Sequence, residues 1–77
     1  MVEREITFEI TERIAVLSDN GIVSKELNMV SYNGARPKYD LRSWKDLEDG
    51  KRKPLKGLTM TAEEMDTLKA AIKDREI

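Results

Sequence analysis

Apolar and polar residues alternate along several short stretches of the chain, which is the pattern of half-buried β-strands. Near the start, Ile6, Phe8 and Ile10 alternate with polar residues, and residues 14–18 (IAVLS) form a second run of strand type. Residues 11–13 are a weak turn signal, so the two runs fit either a tight hairpin or one bent ribbon. The Asp-Asn-Gly sequence at 19–21 is a stronger turn signal, because Asn and Gly tolerate positive φ.

The stretch from Lys25 to Trp44 predicts a central hairpin, with its turn at residues 33–36. Side chains alternate between the two faces of a strand, so the sequence assigns each residue to a face. One face is mostly apolar and carries Leu27, Met29, Tyr39 and Leu41. The opposite face carries aromatic side chains among polar and charged ones: Glu26, Asn28, Val30, Tyr32, Lys38, Asp40, Arg42 and Trp44.

The C-terminal third predicts a charged surface loop, a short strand and one helix. Residues 45–56 are polar and contain Pro54, which we expect to exclude a regular element, and residues 57–60 form a short strand. Thr61 and Glu64 then match a capping box, so the helix should run from about Ala62 to Arg75. Its apolar stripe consists of Met65, Leu68 and Ile72. The predicted class is α+β, with a single domain over residues 1–77.

Composition narrows the possible functions. The 77 residues include no Cys and no His, which excludes disulfides, thiol catalysis, His-based proton transfer and Cys or His metal sites. The four glycines are scattered turn residues, and neither phosphate-binding glycine motif is present. We therefore predict no catalytic residues, no metal, no small-molecule cofactor and no enzymatic activity. No apolar run reaches the length of a membrane span, so we expect a cytoplasmic protein that binds no membrane.

Charge is segregated along the chain although the net charge is only −1. Residues 36–56 contain eight cations and four anions, a local charge of +4. Residues 1–35 carry −3 and residues 57–77 carry −2. The positive block overlaps the hairpin that carries the aromatic residues, and such a local patch suits phosphate binding.

The aromatic and cationic face predicts a site for unpaired bases. Tyr32 and Trp44 share this face with Arg42, and aromatic rings there could stack on bases of any sequence. Lys25 and Lys38 lie near the hairpin ends, where they could reach phosphates. The alternative is that both aromatics are half-buried sheet residues and that Arg42 pairs with Asp40 or Glu26. The face that the helix covers distinguishes the two interpretations.

The order and spacing of these motifs resemble a known family, the transcriptional coactivator called positive cofactor four, and in particular its short bacterial, YdbC-like branch. The similarity covers about two thirds of the chain, from Lys25 to Ile72. The similar segments lie in the hairpin strands, around the Lys-Gly pair at 56–57 and at the start of the helix. They are KELN at 25–28, VSYN at 30–33, PKYDLRSW at 37–44, KGLT at 56–59 and TAEE at 61–64.

The resemblance implies a curved antiparallel sheet of four to five strands with a C-terminal helix, assembled as a homodimer. It also implies binding of single-stranded DNA, with RNA as the alternative ligand, and with little sequence preference. The predicted binding residues are Lys25, Asn28, Tyr32, Lys38, Arg42, Trp44, Lys53 and Lys56, and the predicted dimer interface contains Met65, Leu68 and Ile72. Val30 replaces an Arg of the eukaryotic pattern, which removes one cation. The alternative function is a protein interaction module whose basic sheet face binds an acidic partner.

Overall fold

Four antiparallel strands and one helix make up the computed structural model, which describes residues 7–75. The elements are β1 (Phe8–Asp19), β2 (Val23–Tyr32), β3 (Lys38–Asp46), β4 (Arg52–Met60) and α1 (Ala62–Arg75). The strands lie in one sheet in the order β1-β2-β3-β4, so each strand pairs with its neighbour in sequence. This architecture confirms the predicted α+β class, with four strands and one C-terminal helix.

The first strand is a single bent ribbon rather than a hairpin. β1 pairs with β2 along its length, and the register shifts three times between Phe8 and Asp19. Such bulges bend a strand and increase its twist. As a result Phe8 reaches across β2, and its ring centroid lies 5.1 Å from that of Trp44 in β3. The sheet is therefore concave on the side that carries both rings. Ile6, predicted as part of this strand, lies outside the described residues.

The two faces of the sheet differ as the alternation predicts. The concave face, called here the groove face, carries alternate residues of β2 and β3: Ser24, Glu26, Asn28, Val30, Tyr32, Asp40, Arg42 and Trp44. The opposite face, called the helix face, carries Leu27, Met29, Tyr39 and Leu41. Helix α1 packs on the helix face, where Met65 lies beside Leu27, Leu41 and Met60. The groove face is thus left free of the helix.

The prediction of a loop over residues 45–56 is wrong for residues 52–56, which form the first part of β4. The strand begins at Arg52 and includes Pro54, which lies opposite Trp44. A proline is tolerated here because β4 is an edge strand and because the ladder is irregular just beyond it. Gly57 then lies opposite Arg42, and a Cβ at Gly57 would overlap the Cβ of Arg42. Only glycine fits this close approach of the two strands.

The helix begins at the predicted capping box. The Glu64 amide donates to the Thr61 hydroxyl at 3.1 Å, and the Thr61 amide donates to the Glu64 carboxylate at 2.8 Å. Met65 is buried against the sheet, whereas Leu68 and Ile72 remain 37% and 57% exposed. One chain therefore covers only part of the apolar stripe of α1.

Candidate nucleic-acid interface

An open groove lies on the groove face, over β3 and β4. It has a volume of about 450 Å³ and is lined by Tyr32, Asn33, Arg42, Pro54, Leu55 and Thr59. A smaller groove of about 170 Å³ adjoins it and is lined by Val30, Tyr32, Ala35, Arg36, Lys38 and Thr59. The two grooves share Tyr32 and Thr59, so they form one surface that runs from the β2–β3 turn to the middle of β4.

Asp40 binds the side chains of both Tyr32 and Arg42. Its carboxylate is fully buried and accepts hydrogen bonds from Arg42 Nε at 2.8 Å and from the Tyr32 hydroxyl at 3.1 Å. The Arg42 guanidinium lies 5.3 Å from the centroid of the Tyr32 ring, and its Nη1 donates to the Leu55 carbonyl at 3.0 Å. Arg42 thus bridges β3 and β4 while its guanidinium carbon lies over an aromatic ring.

Tyr32 is uncharged and Arg42 is charged near neutral pH. Burial, with the negative charge of Asp40, raises the pKa of Tyr32 to about 12, so its hydroxyl remains a hydrogen-bond donor. The hydrogen bonds to Asp40 raise the pKa of Arg42 above its usual value. The site therefore presents a neutral phenol and a guanidinium whose charge a carboxylate balances.

Uncompensated positive charge lies in the smaller groove. Arg36 and Lys38 are both exposed and line it beside Tyr32. Within residues 7–75 neither side chain has a carboxylate at ion-pair distance. These two cations are free to contact an anionic ligand, whereas Arg42 is already paired.

Trp44 requires a correction. It lies on the predicted face, but its side chain is 0% exposed, so the expectation of an exposed stacking ring is wrong for this residue. Phe8 packs on it, and the Arg52 guanidinium lies 5.4 Å from its ring centroid. The alternative interpretation, of half-buried sheet aromatics with Arg42 paired to Asp40, therefore fits Tyr32 and Arg42, whereas Trp44 is buried completely. Tyr32 also borders the groove.

A second polar cluster fixes Arg52 over that ring. Arg52 donates to both carboxylate oxygens of Glu26, at 3.1 and 2.5 Å, and to Asp46 at 3.1 Å. The Arg52 hydrogen bonds, stronger than the opposing effect of burial, lower the pKa of Glu26 to about 2. Asn28 donates to the same carboxylate and is fully buried, so its side chain is not available at the groove surface.

The remaining predicted cations lie away from the groove. Lys25 alternates with buried Ser24 and Glu26, so its exposed side chain lies on the helix face. Lys53 is exposed and lies opposite Lys45, also on that side of the sheet. Lys56 is exposed in the irregular segment of β4 between Pro54 and Gly57. The structure therefore joins Tyr32, Lys38 and Arg42 at one surface and separates these three lysines from it.

Sequence reasoning missed several groove residues: Arg36, Pro54, Leu55 and Thr59. Arg36 lies in the hairpin turn, where its membership of the positive block was the only signal. Pro54 and Leu55 belong to the first part of β4, which was predicted as a loop because of the proline, and Thr59 belongs to the part of β4 that was predicted as a strand. Thr59 pairs with Asp40, so its position on the groove face follows only once the β3–β4 register is known.

Comparison with known families gives a match over residues 23–71 to the model described as Transcriptional Coactivator p15 (PC4). The matched segment is more than half of the chain and runs from the start of β2 into α1. The chain belongs to the p15 (PC4) family. An uncharacterized protein of Treponema pallidum (strain Nichols) is also similar, with 36% identity over 70 residues, which are 90% of this chain and 79% of that protein.

Membership of the p15 (PC4) family supports nucleic-acid binding in general, and the matched segment includes every strand that lines the groove. Within residues 7–75, no cluster of three or more acidic side chains is arranged to hold a metal ion. The helix of this part of the chain is too short and too polar to cross a bilayer.

Proposed function

We propose that this protein binds single-stranded DNA with little sequence preference, through the groove face of its sheet, in transcription regulation or DNA maintenance. The observation that carries the proposal is the half-buried Tyr32 ring beside the Arg42 guanidinium in an open groove. Two flat, polarizable groups at one surface suit stacking on unpaired bases, which tolerates any base because each has a π-face. Family membership supports the same assignment.

The distribution of charge supports a division of roles within the groove. Tyr32 and Arg42 provide the stacking surface, while Arg36 and Lys38 are exposed cations next to it. Phosphate contacts hold a strand without reading its sequence, whereas stacked bases hold it only when they are unpaired. This combination favours a single strand over a duplex.

Replacing Tyr32 by Ala should weaken binding of a fluorescein-labelled oligo-dT by about 1–3 kcal/mol, because one base loses its stacking partner. Fluorescence anisotropy is the appropriate measurement, since Trp44 is buried and its quenching would not report the contact. Titrations with matched RNA and duplex DNA establish which strands are bound. If the unaltered protein gives no saturable binding of oligo-dT at low salt, the proposed function is wrong.

Replacing Lys38 by Ala should weaken binding and also flatten its salt dependence. Each phosphate contact that is lost lowers the slope of log K against log salt by about 0.7 for a single strand. Titration at four or five salt concentrations measures the slope. Lys73→Ala removes an equal charge from the exposed end of α1, away from the groove, and serves as the control. Equal slopes in the two variants would exclude a phosphate contact by Lys38.

We also propose that the protein is a homodimer that joins through its helix faces. An apolar cavity of about 250 Å³ lies between the sheet and α1 and is open at the surface, where Leu17, Leu68 and Ile72 remain exposed. Among residues 7–75 of one chain, few apolar side chains are buried: Val30, Trp44, Met60 and Met65. A small domain with so limited a core gains stability when a second copy covers its exposed apolar surface.

A further inference from the structure

We propose that Asp40 is a positioning residue of the groove, which locks Tyr32 and Arg42 into one rigid stacking surface and prevents Arg42 from acting as a phosphate contact. This inference rests on the proposed binding of single-stranded DNA. It changes the expected role of Arg42, because an arginine on a binding face is usually counted as a cation for the backbone.

The geometry around Asp40 supports the positioning role. One fully buried carboxylate accepts hydrogen bonds from a tyrosine on β2 and from an arginine on β3. Arg42 is a long side chain, and losing its rotational freedom on binding would cost entropy if it were not already held in place. Because the same carboxylate anchors both, the ring and the guanidinium keep a fixed separation of 5.3 Å. The groove is therefore organised before a ligand arrives.

The charge balance supports the second part of the proposal. Arg42 Nε lies 2.8 Å from both oxygens of Asp40, and Nη1 is engaged by the Leu55 carbonyl. A guanidinium held in this way has its charge balanced by a carboxylate but still presents its planar surface. Within residues 7–75, Arg36 and Lys38 have no carboxylate at ion-pair distance, and both line the smaller groove on the other side of Tyr32. Stacking and phosphate binding are thus assigned to different residues.

The decisive variant is Asp40→Asn, compared with the exposed Asp74→Asn on α1. Both changes add one positive unit to the net charge, which by simple attraction would tighten binding. We expect Asp40→Asn instead to weaken oligo-dT binding about tenfold, because the stacking surface loses its anchor. The salt slope should become steeper by up to about 0.7, since the released Arg42 can now contact a phosphate. Asp74→Asn should remain within about twofold of the unaltered protein.

Circular dichroism and thermal unfolding identify variants that remain folded. Tyr32→Phe provides a milder test if Asp40→Asn does not fold, because it keeps the ring and removes only the hydroxyl that Asp40 binds. We expect about threefold weaker binding for this variant, with an unchanged salt slope. Loss of folded protein would lower the active fraction but would not steepen the slope.

The outcomes separate this inference from the proposed function. Absence of oligo-dT binding by the unaltered protein would contradict the proposed function itself. Binding by the unaltered protein, together with equal or tighter binding by folded Asp40→Asn, would overturn only the positioning role. The positioning role would also be overturned if Asp40→Asn does not fold and Tyr32→Phe binds as tightly as the unaltered protein.

Discussion

Replacing Trp44 by Ala should destabilise the domain by about 3–5 kcal/mol, the usual cost of removing a large buried aromatic side chain. Trp44 is the largest fully buried side chain among residues 7–75, and it supports both Phe8 and the Arg52 guanidinium. A small domain has only about 5–15 kcal/mol of stability in total, so much of this protein should be unfolded after the change. Urea unfolding followed by far-UV circular dichroism measures the effect without relying on the tryptophan signal.

Two matched variants separate stability from binding at this face. Trp44→Phe retains an aromatic ring. It removes no hydrogen bond within the described part of the chain, because Trp44 Nε1 has no partner there. The loss of stability in Trp44→Phe should therefore be markedly smaller than that in Trp44→Ala. Tyr32→Ala should weaken DNA binding with a smaller loss of stability than Trp44→Ala, since Tyr32 is only half-buried. A Trp44→Ala protein with unaltered stability and no DNA binding would instead make Trp44 a direct contact.

Trp44 also shows what alternation can and cannot predict. Tyr32 and Trp44 were assigned correctly to one face, because the face depends only on parity within each strand. Their different exposure depends on Phe8, which packs on Trp44 only because bulges curl β1 over the sheet. Bulges have no simple sequence signal, so the concave shape of the face could not be derived from the residues alone.

The positive block at residues 36–56 shows a second limit of prediction from sequence, which concerns charge. Counting charges gave residues 36–56 eight cations, but two of these are engaged by carboxylates on the groove face. Arg52 pairs with Glu26, which is distant in sequence, and this pairing becomes visible only when β2 and β4 are placed on either side of β3. Arg42 pairs with Asp40, as the alternative interpretation allowed. Net charge therefore overstated the number of cations available to a ligand.

The predicted start of the helix, at about Ala62, agrees with the observed one, since a capping box, helical periodicity and dipole-compatible charges all indicated the same helix. β4 was only partly predicted because Pro54 normally argues against a strand. Its edge position and adjacent irregularity, both properties of the assembled sheet, explain the exception. The predicted groove residues on β2 and β3 were consequently easier to find than those on β4.

Replacing Ile72 by Asp should dissociate the proposed dimer. In a single chain Ile72 is 57% exposed, so an aspartate there would have little effect, within about 0.5 kcal/mol. In a dimer that covers the helix face, the same change places an unpaired charge in an apolar cavity lined by Leu17 and Leu68. The cost of about 3 kcal/mol or more corresponds to a dissociation constant raised about a hundredfold.

Sedimentation velocity over a range of concentrations tests this prediction. Ala70→Asp adds the same charge to α1 at an exposed position that does not line the apolar cavity, and it should leave the dimer intact. Folding is linked to association, so Ile72→Asp should also lower the thermal midpoint, and more strongly at high protein concentration, where the unaltered dimer is most populated. A stable monomer for the unaltered protein at micromolar concentration, or equal association of the two variants, would show that the exposed stripe of α1 is not a dimer interface.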